Sequence, residues 1–221
     1  MSLLANSYGN FLSSALPFFQ SMPGIITPNA TLLKPGGRVA AYVRSTGAQD
    51  GEDHFANSGM LVSTINAGLA RCRAGQNDIV YVLPGHTETF TAADSLSSAV
   101  SGAQLIAVGR PGAPNNPTLL WNNTAATVLL NDANMSIIGF NMDFTGVDAV
   151  VAPITISADG VMLACNHITV AGGSEGATTP LTIATGADNC LILGNKMLAT
   201  GTQTEVNIIS VTGAVNNLEI A

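Results

Sequence analysis

Apolar residues fall at alternate positions in three stretches that can be set over one another. These are Asn134-Met-Ser-Ile-Ile-Gly-Phe-Asn-Met-Asp-Phe144, Gly160-Val-Met-Leu-Ala-Cys-Asn-His-Ile-Thr-Val170 and Asn189-Cys-Leu-Ile-Leu-Gly-Asn-Lys-Met-Leu-Ala199. Alternation is the side-chain period of a β-strand. Met135 aligns with Val161 and Cys190, Ile137 with Leu163 and Ile192, Gly139 with Cys165 and Gly194, and Met142 with Ile168 and Met197. A fourth copy begins at Asn217. Upstream of each copy a second strand is predicted, at 128–130, 154–156, 181–183 and 208–210. The polar turns between the two strands end on Asn134, Gly160, Asn189 and Asn217. Asn and Gly enter the left-handed backbone region at least cost, so a repeated sharp corner is expected.

The repeat recurs about every 27 residues, within the range of stacked arrays. Each unit carries strands and no helical period. The fold class is therefore all-β: a parallel β-helix, one coil per repeat, with coils ~4.8 Å apart. Equivalent inward side chains then stack in ladders, and several coils are needed to bury them. The last ladder is unfinished at Ala221. The expectation is that a partner chain covers this open coil or that the native chain continues past residue 221.

Upstream, the pattern changes. Leu61, Ile65, Leu69 and Cys72 lie on one helical face, which predicts a capping helix over about 59–73, started by Asn57 or Ser58 and stopped by Gly75. Arg71 and Arg73 would sit at its C-terminal end, where the helix dipole favours them. Asp78-Ile-Val-Tyr-Val-Leu83 reads as a strand, and coils run from about residue 78 onward. Residues 41–221 make the β-helix. Residues 1–40 are set apart as an irregular N-terminal arm or cap, holding Tyr8, Phe11, Phe18 and Phe19 among Pro17, Pro23 and Pro28. Proline blocks long helices and central strands. The apolar arm residues Leu3, Leu4, Tyr8, Phe11, Leu12, Phe18 and Phe19 are the candidate partner-binding set.

Composition narrows the function classes. Charged residues are 10% of the chain and the net charge is −7. Of seven basic residues only Lys196 lies beyond Arg110, which argues against a nucleic-acid partner. No apolar run is long enough for a membrane-spanning helix, and no basic segment precedes the apolar N-terminus as a signal peptide requires. Cys72, Cys165 and Cys190 suggest no disulfide framework. Cys165 and Cys190 are expected inside, as reduced thiols of a chain that folds in cytoplasm. No Cys or His pair has ligand spacing, so no metal or cofactor is expected.

One stretch carries a resemblance. Ser45-Thr-Gly-Ala-Gln-Asp-Gly-Glu-Asp53, a helix, then Ile79-Val-Tyr-Val-Leu-Pro-Gly85 resembles the opening of pectate-lyase-like right-handed β-helices, common among phage tailspikes and other virion proteins. The resemblance implies a right-handed coil, a homotrimer and a place in a virion assembled in the host cytoplasm. It suggests a capsid decoration (cement) or head-spike protein, attached by its arm to the major capsid protein lattice or another virion protein. The alternative is a tailspike-like polysaccharide depolymerase, a glycoside hydrolase or lyase acting on host surface glycan. A lyase needs a base and charge neutralisation in its groove, and Lys196 stands alone in the repeats. A glycosidase needs two carboxylates roughly 5–9 Å apart. Asp143 and Asp148 are close in sequence, while Asp132, Asp159 and Asp188 recur at the turns, where Asp is a turn former. His54, His86 and His167 show no Ser or Asp partner in the sequence, so no catalytic triad is expected. The corner residues Asn141, Asn166 and Asn195 are expected to bond the backbone of the next coil. The reading is a non-enzymatic structural protein with no catalytic residues.

Overall fold

A computed structural model describes residues 33–45, 60–97, 99–146, 150, 152–171, 177, 179–200 and 208–221. The architecture is the expected right-handed parallel β-helix. Each full coil contributes a strand to each of three parallel sheets. The longest sheet has eight strands, in the order β17 (Glu219–Ile220), β14 (Leu191–Leu193), β11 (Met162–Ala164), β8 (Ser136–Ile138), β5 (Gln104–Ala107), β3 (Ile79–Val82), β1 (Val39–Val43) and β2 (Leu61–Val62). The second sheet stacks β15 (Lys196–Thr200), β12 (His167–Ala171), β9 (Asn141–Asp143), β6 (Thr118–Trp121) and β4 (Thr87–Phe90). The third stacks β16 (Ile209–Val211), β13 (Leu181–Ile183), β10 (Ile154–Ile156) and β7 (Val128–Leu130).

The predicted ladders are in register. Ile137 pairs with Leu163, and Leu163 with Ile192; Met142 pairs with Ile168, and Ile168 with Met197. Met135, Val161 and Cys190 are all buried in the interior. One ladder slips by a residue: Leu181 pairs with Ile209, so the last strand of the third sheet starts one place later than the sequence alignment put it.

Two expectations need correction. First, each aligned stretch is two strands, not one, so a full coil carries three strands where the sequence pattern predicts two. The chain breaks at Gly139, Cys165 and Gly194, which have φ of 83°, 56° and 61°. The corner shifts the alternation by one residue. Met135 and Ile137 point inward before it, and Phe140, Met142 and Phe144 after it. Cys165 therefore does not face the interior; it packs on the outer side of the eight-stranded sheet, half-buried. All three cysteines are free thiols. A left-handed conformation strains any residue with a Cβ. Cys165→Gly is expected to raise stability by up to about 1 kcal/mol, read as a higher urea midpoint, although the loss of the Sγ contacts works against it.

Second, the capping helix is short. Among the described residues of the predicted span, only α1 (Ile65–Leu69) is helical. Leu61 and Val62 form β2 instead, pairing with Tyr42 and Val43. The cap is Thr64, whose side chain accepts from Ala67 N, not Asn57 or Ser58, which lie outside the described residues. Ile65, Leu69 and Cys72 do reach one apolar cluster, through a turn and a half of helix and a turn, but from β2 it is Val62 that joins them, not Leu61. No basic residue lies in the helix's last turn; Arg73 folds onto Asp78. Ile65, Gly68 and Leu69 close the N-terminal end of the core. Gly68 packs against β1 and β3 so closely that a Cβ there would lie 2.8 Å from Val80 Cγ1.

Candidate functional site

The partner-binding set Leu3, Leu4, Tyr8, Phe11, Leu12, Phe18 and Phe19 lies outside the described residues, as do His54 and Asp148. The other sequence candidates can be placed. They fall into three groups: the corners between coils, the N-terminal end, and the outer strands of the second sheet.

At the corners the polar side chains join one coil to the next. Asp159 Oδ1 accepts from Asp188 N at 3.2 Å, and Asp188 Oδ1 accepts from Asn216 N at 2.7 Å. Asn216 Nδ2 adds a second bond to Asp188 Oδ2 at 3.1 Å. These bonds hold the Asp188 carboxyl below the usual carboxylate range, the Asn216 backbone contributing most. At the next corner Asn166 Oδ1 accepts from Phe140 N at 2.9 Å, and Asn166 Nδ2 donates to Ile137 O at 3.2 Å. Asn195 repeats this one coil on, accepting from Asn166 N at 3.0 Å and donating to Leu163 O at 2.7 Å. These bonds reach back to the preceding coil, not forward. Asn141 does not belong to the series. It sits one place past the equivalent corner position, Phe140, and ties the 110–117 loop, through Gly112 N at 2.7 Å and Ala113 O at 3.0 Å. Asp143 Oδ1 accepts from Thr145 N at 2.9 Å and Thr145 Oγ1 at 2.7 Å, a local turn closure.

At the N-terminal end two carboxylates are each held by both near and distant partners. Asp78, with no side-chain exposure, receives Arg73 as a fork: Nε at 2.9 Å to Oδ2 and Nη2 at 2.7 Å to Oδ1. Arg73 N and Arg38 N donate to the same carboxylate, at 2.9 and 3.2 Å. The Arg73 side-chain bonds, more than any other interaction, hold the Asp78 carboxyl far below its ordinary range. A buried carboxylate is tolerated only when it is saturated in this way.

Nearby, Ser45 Oγ lies 2.9 Å from His86 Nδ1, and His86 Nε2 lies 2.9 Å from Glu88 Oε2. One neutral tautomer satisfies the line: Nδ1 accepts from the hydroxyl, and Nε2–H donates to the carboxylate. The same Oε2 accepts from Ile65 N, at the start of α1, at 2.9 Å. Ser45 Oγ also accepts from Thr87 N at 3.3 Å. The line thus joins the end of β1, the start of β4 and the helix. The absence of a Ser partner for His86 in the sequence reading is corrected here: Ser45 is 41 residues away and only the coil brings it near. A signal was present all the same. His86, Glu88 and Phe90 alternate onto the inward face of β4, and an imidazole and a carboxylate on an apolar face need partners.

On the second sheet, His167 and Lys196 are paired across β12 and β15, on the outer face with Asn141. The His167 ring lies against Gly112, whose Cβ, if present, would lie 3.4 Å from Nδ1. Among the described residues no three His, Cys, Asp or Glu side chains come together as a metal site. Among them, too, no helix is long and apolar enough to cross a membrane. Neither a family model, nor a curated protein, nor a solved structure matches the chain.

Proposed function

We propose that the protein is a structural component of a phage-type particle, a capsid decoration or head-spike protein that performs no catalysis. The observation that supports this most is the use made of the repeated polar residues. Asp159, Asp188, Asn166 and Asn195 recur with the coil, and each bonds the neighbouring coil. A repeat whose polar positions bind its own backbone is built as a scaffold. The low charge of the chain fits a surface that meets protein more than acidic glycan or nucleic acid. Attachment is assigned to the distal arm, through Leu3, Leu4, Tyr8, Phe11, Leu12, Phe18 and Phe19. The partner is a capsid lattice, and the resemblance to virion β-helices supports a homotrimer.

The test is co-sedimentation of the full chain with purified capsids that lack it. Wild type is expected to pellet with them. A full-length Leu4→Asp/Phe11→Asp variant is expected to bind at least tenfold more weakly with an unchanged circular dichroism spectrum. Equal binding by the variant would overturn arm attachment.

One observation favours the other class. Ser45, His86 and Glu88 form a hydroxyl–imidazole–carboxylate line, the connectivity that activates a serine nucleophile in hydrolases. The bonds to Ile65 N and Thr87 N favour the structural reading, because they occupy the same oxygens in holding the N-terminal end together. A fluorophosphonate probe separates the two. Labelling of Ser45 that is lost in Ser45→Ala, together with cleavage of a capsular ester or glycan, would establish the enzyme.

A further inference from the structure

Leu33, Lys34 and Pro35 run along the solenoid axis, across the corners that lead into the eight-stranded sheet. Pro35 O accepts from Asn77 Nδ2 at 2.9 Å, at the corner before β3. Gln104, the first residue of β5, clasps the Lys34 backbone from both sides. Lys34 N donates to Gln104 Oε1 at 2.8 Å, and Gln104 Nε2 donates to Lys34 O at 3.2 Å. Gln104 Nε2 also donates to Asn77 O at 2.8 Å. The Lys34 side chain reaches further along the axis. Its Nζ donates to Asn134 O, at the corner before β8, and, at 3.4 Å, to Gly160 O, at the corner before β11. Leu33 packs beside Ile106, Ile138 and Met162, of β5, β8 and β11.

Asn77, Asn134 and Gly160 stand at equivalent left-handed corners, with φ of 57°, 62° and 67°. The three adjacent residues 33–35 thus touch four successive coils, and their polar partners lie 42 to 126 residues away in sequence. The corner side chains Asp159, Asp188, Asn166 and Asn195 reach only the adjacent coil. The Lys34 ammonium is half-buried, and burial lowers its pKa. Two carbonyls replace part of the hydration it loses. These acceptors belong to different coils, so one ammonium meets both only while the coils stay stacked.

In a solenoid each coil contacts its neighbours alone, so stability is a sum of interface terms and coils can open one at a time from an end. A tie across several interfaces changes that behaviour, because opening any one of them breaks the tie. We propose that Lys34 and Gln104 form an axial clasp that makes the coils of β3, β5, β8 and β11 open as one unit, while the coils of β14 and β17 open separately. The clasp rests on neither reading of the protein's function.

Native-state hydrogen exchange of the full chain at low denaturant, followed by NMR, tests it. One amide per coil reports its bond to the preceding coil. Gln104 N donates to Asp78 O at 2.9 Å, Ser136 N to Ala103 O at 2.9 Å and Met162 N to Met135 O at 2.8 Å, all within the clasp. Leu191 N to Val161 O at 2.9 Å and Glu219 N to Cys190 O at 3.0 Å lie beyond it. In wild type the first three amides are expected to exchange through one common opening, with Leu191 and Glu219 exchanging faster. Lys34→Met keeps the stem and the backbone clasp and removes the ammonium. It is expected to speed Ser136 and Met162 about tenfold or more and to leave Gln104 within about twofold. Three separate openings in wild type, easing coil by coil toward β17, would overturn the clasp. So would equal acceleration of all three amides in the variant, the mark of a general loss of stability, or no acceleration at Ser136 and Met162.

Discussion

Trp121→Ala is expected to lower the free energy of unfolding by about 4 kcal/mol, within the range for deleting a fully buried aromatic side chain. Trp121 is 0% exposed and stands between two other rings in the interior. Phe90 meets it edge-on at 4.9 Å and 81°, and Phe144 lies on its other side at 4.3 Å and 43°. The three belong to β4, to β6 and to the residue after β9, so the ladder joins three successive coils. In a solenoid, stability is mostly a sum of neighbouring-coil interfaces, and this cavity damages two of them. Chemical denaturation followed by far-ultraviolet circular dichroism gives the value. A loss under about 1 kcal/mol would show that the rings do not stack as described. Trp121→Phe is expected to cost far less. The indole Nε1–H has no hydrogen-bond partner among the described residues, so its removal offsets part of the lost volume.

The second large effect is at Asp78. Asp78→Ala is expected to cost about 3 kcal/mol or more, because it leaves Arg38 N and Arg73 N without their acceptor and releases the guanidinium fork. The effect also has a pH signature. The folded carboxyl lies below its unfolded value of about 3.9, so the unfolded chain takes up the proton first. The Asp78 contribution is therefore fully present above that value and is lost as pH falls below about 4. Asp78→Asn keeps the shape and removes the titration. The stability difference between wild type and Asp78→Asn is expected to be constant from pH 5 to 7 and to shrink between about pH 4 and pH 2. A difference that stays flat to pH 2 would show that the ion pair does not form.

The coil stacking could be read from the sequence because equivalent positions repeat the same requirement. Ile137, Leu163 and Ile192 are apolar for one reason, stacking on each other, so their alignment carried the register. The corner was hidden because Gly139, Cys165 and Gly194 look like one more variable position in an alternating strand. Only the one-residue shift from Ile137 to Phe140 marks it. The sequence spacing overextends the helix because a strand followed by a short helix can imitate helical spacing, as Leu61 and Ile65 do. The bonding of Asp78, His86 and Gln104 is not legible in the sequence for another reason. Each is a polar residue in or beside an apolar strand with a partner from a distant part of the chain: Arg38 N, which joins the nearby Arg73 on Asp78, Ser45 on His86, and Lys34 on Gln104. Such a residue announces that a partner exists without naming it.

The structural role also gives the recurring Asp and Asn positions a single meaning. Paired carboxylates on adjacent coils would suit glycan hydrolysis, yet Asp159 and Asp188 are each engaged with the next coil's backbone. Asp143 is engaged with Thr145. A catalytic role would require these groups to leave bonds that help define the coil.

The central claim is a structural place on the particle, and quantitative mass spectrometry of purified particles tests it most directly. Heads and tails are separated and the chain is counted against the major capsid protein. A head-bound structural protein is expected in many copies on the heads, at a fixed ratio to that protein. Recovery on tails alone, or in the soluble lysate with glycan-cleaving activity, would contradict it.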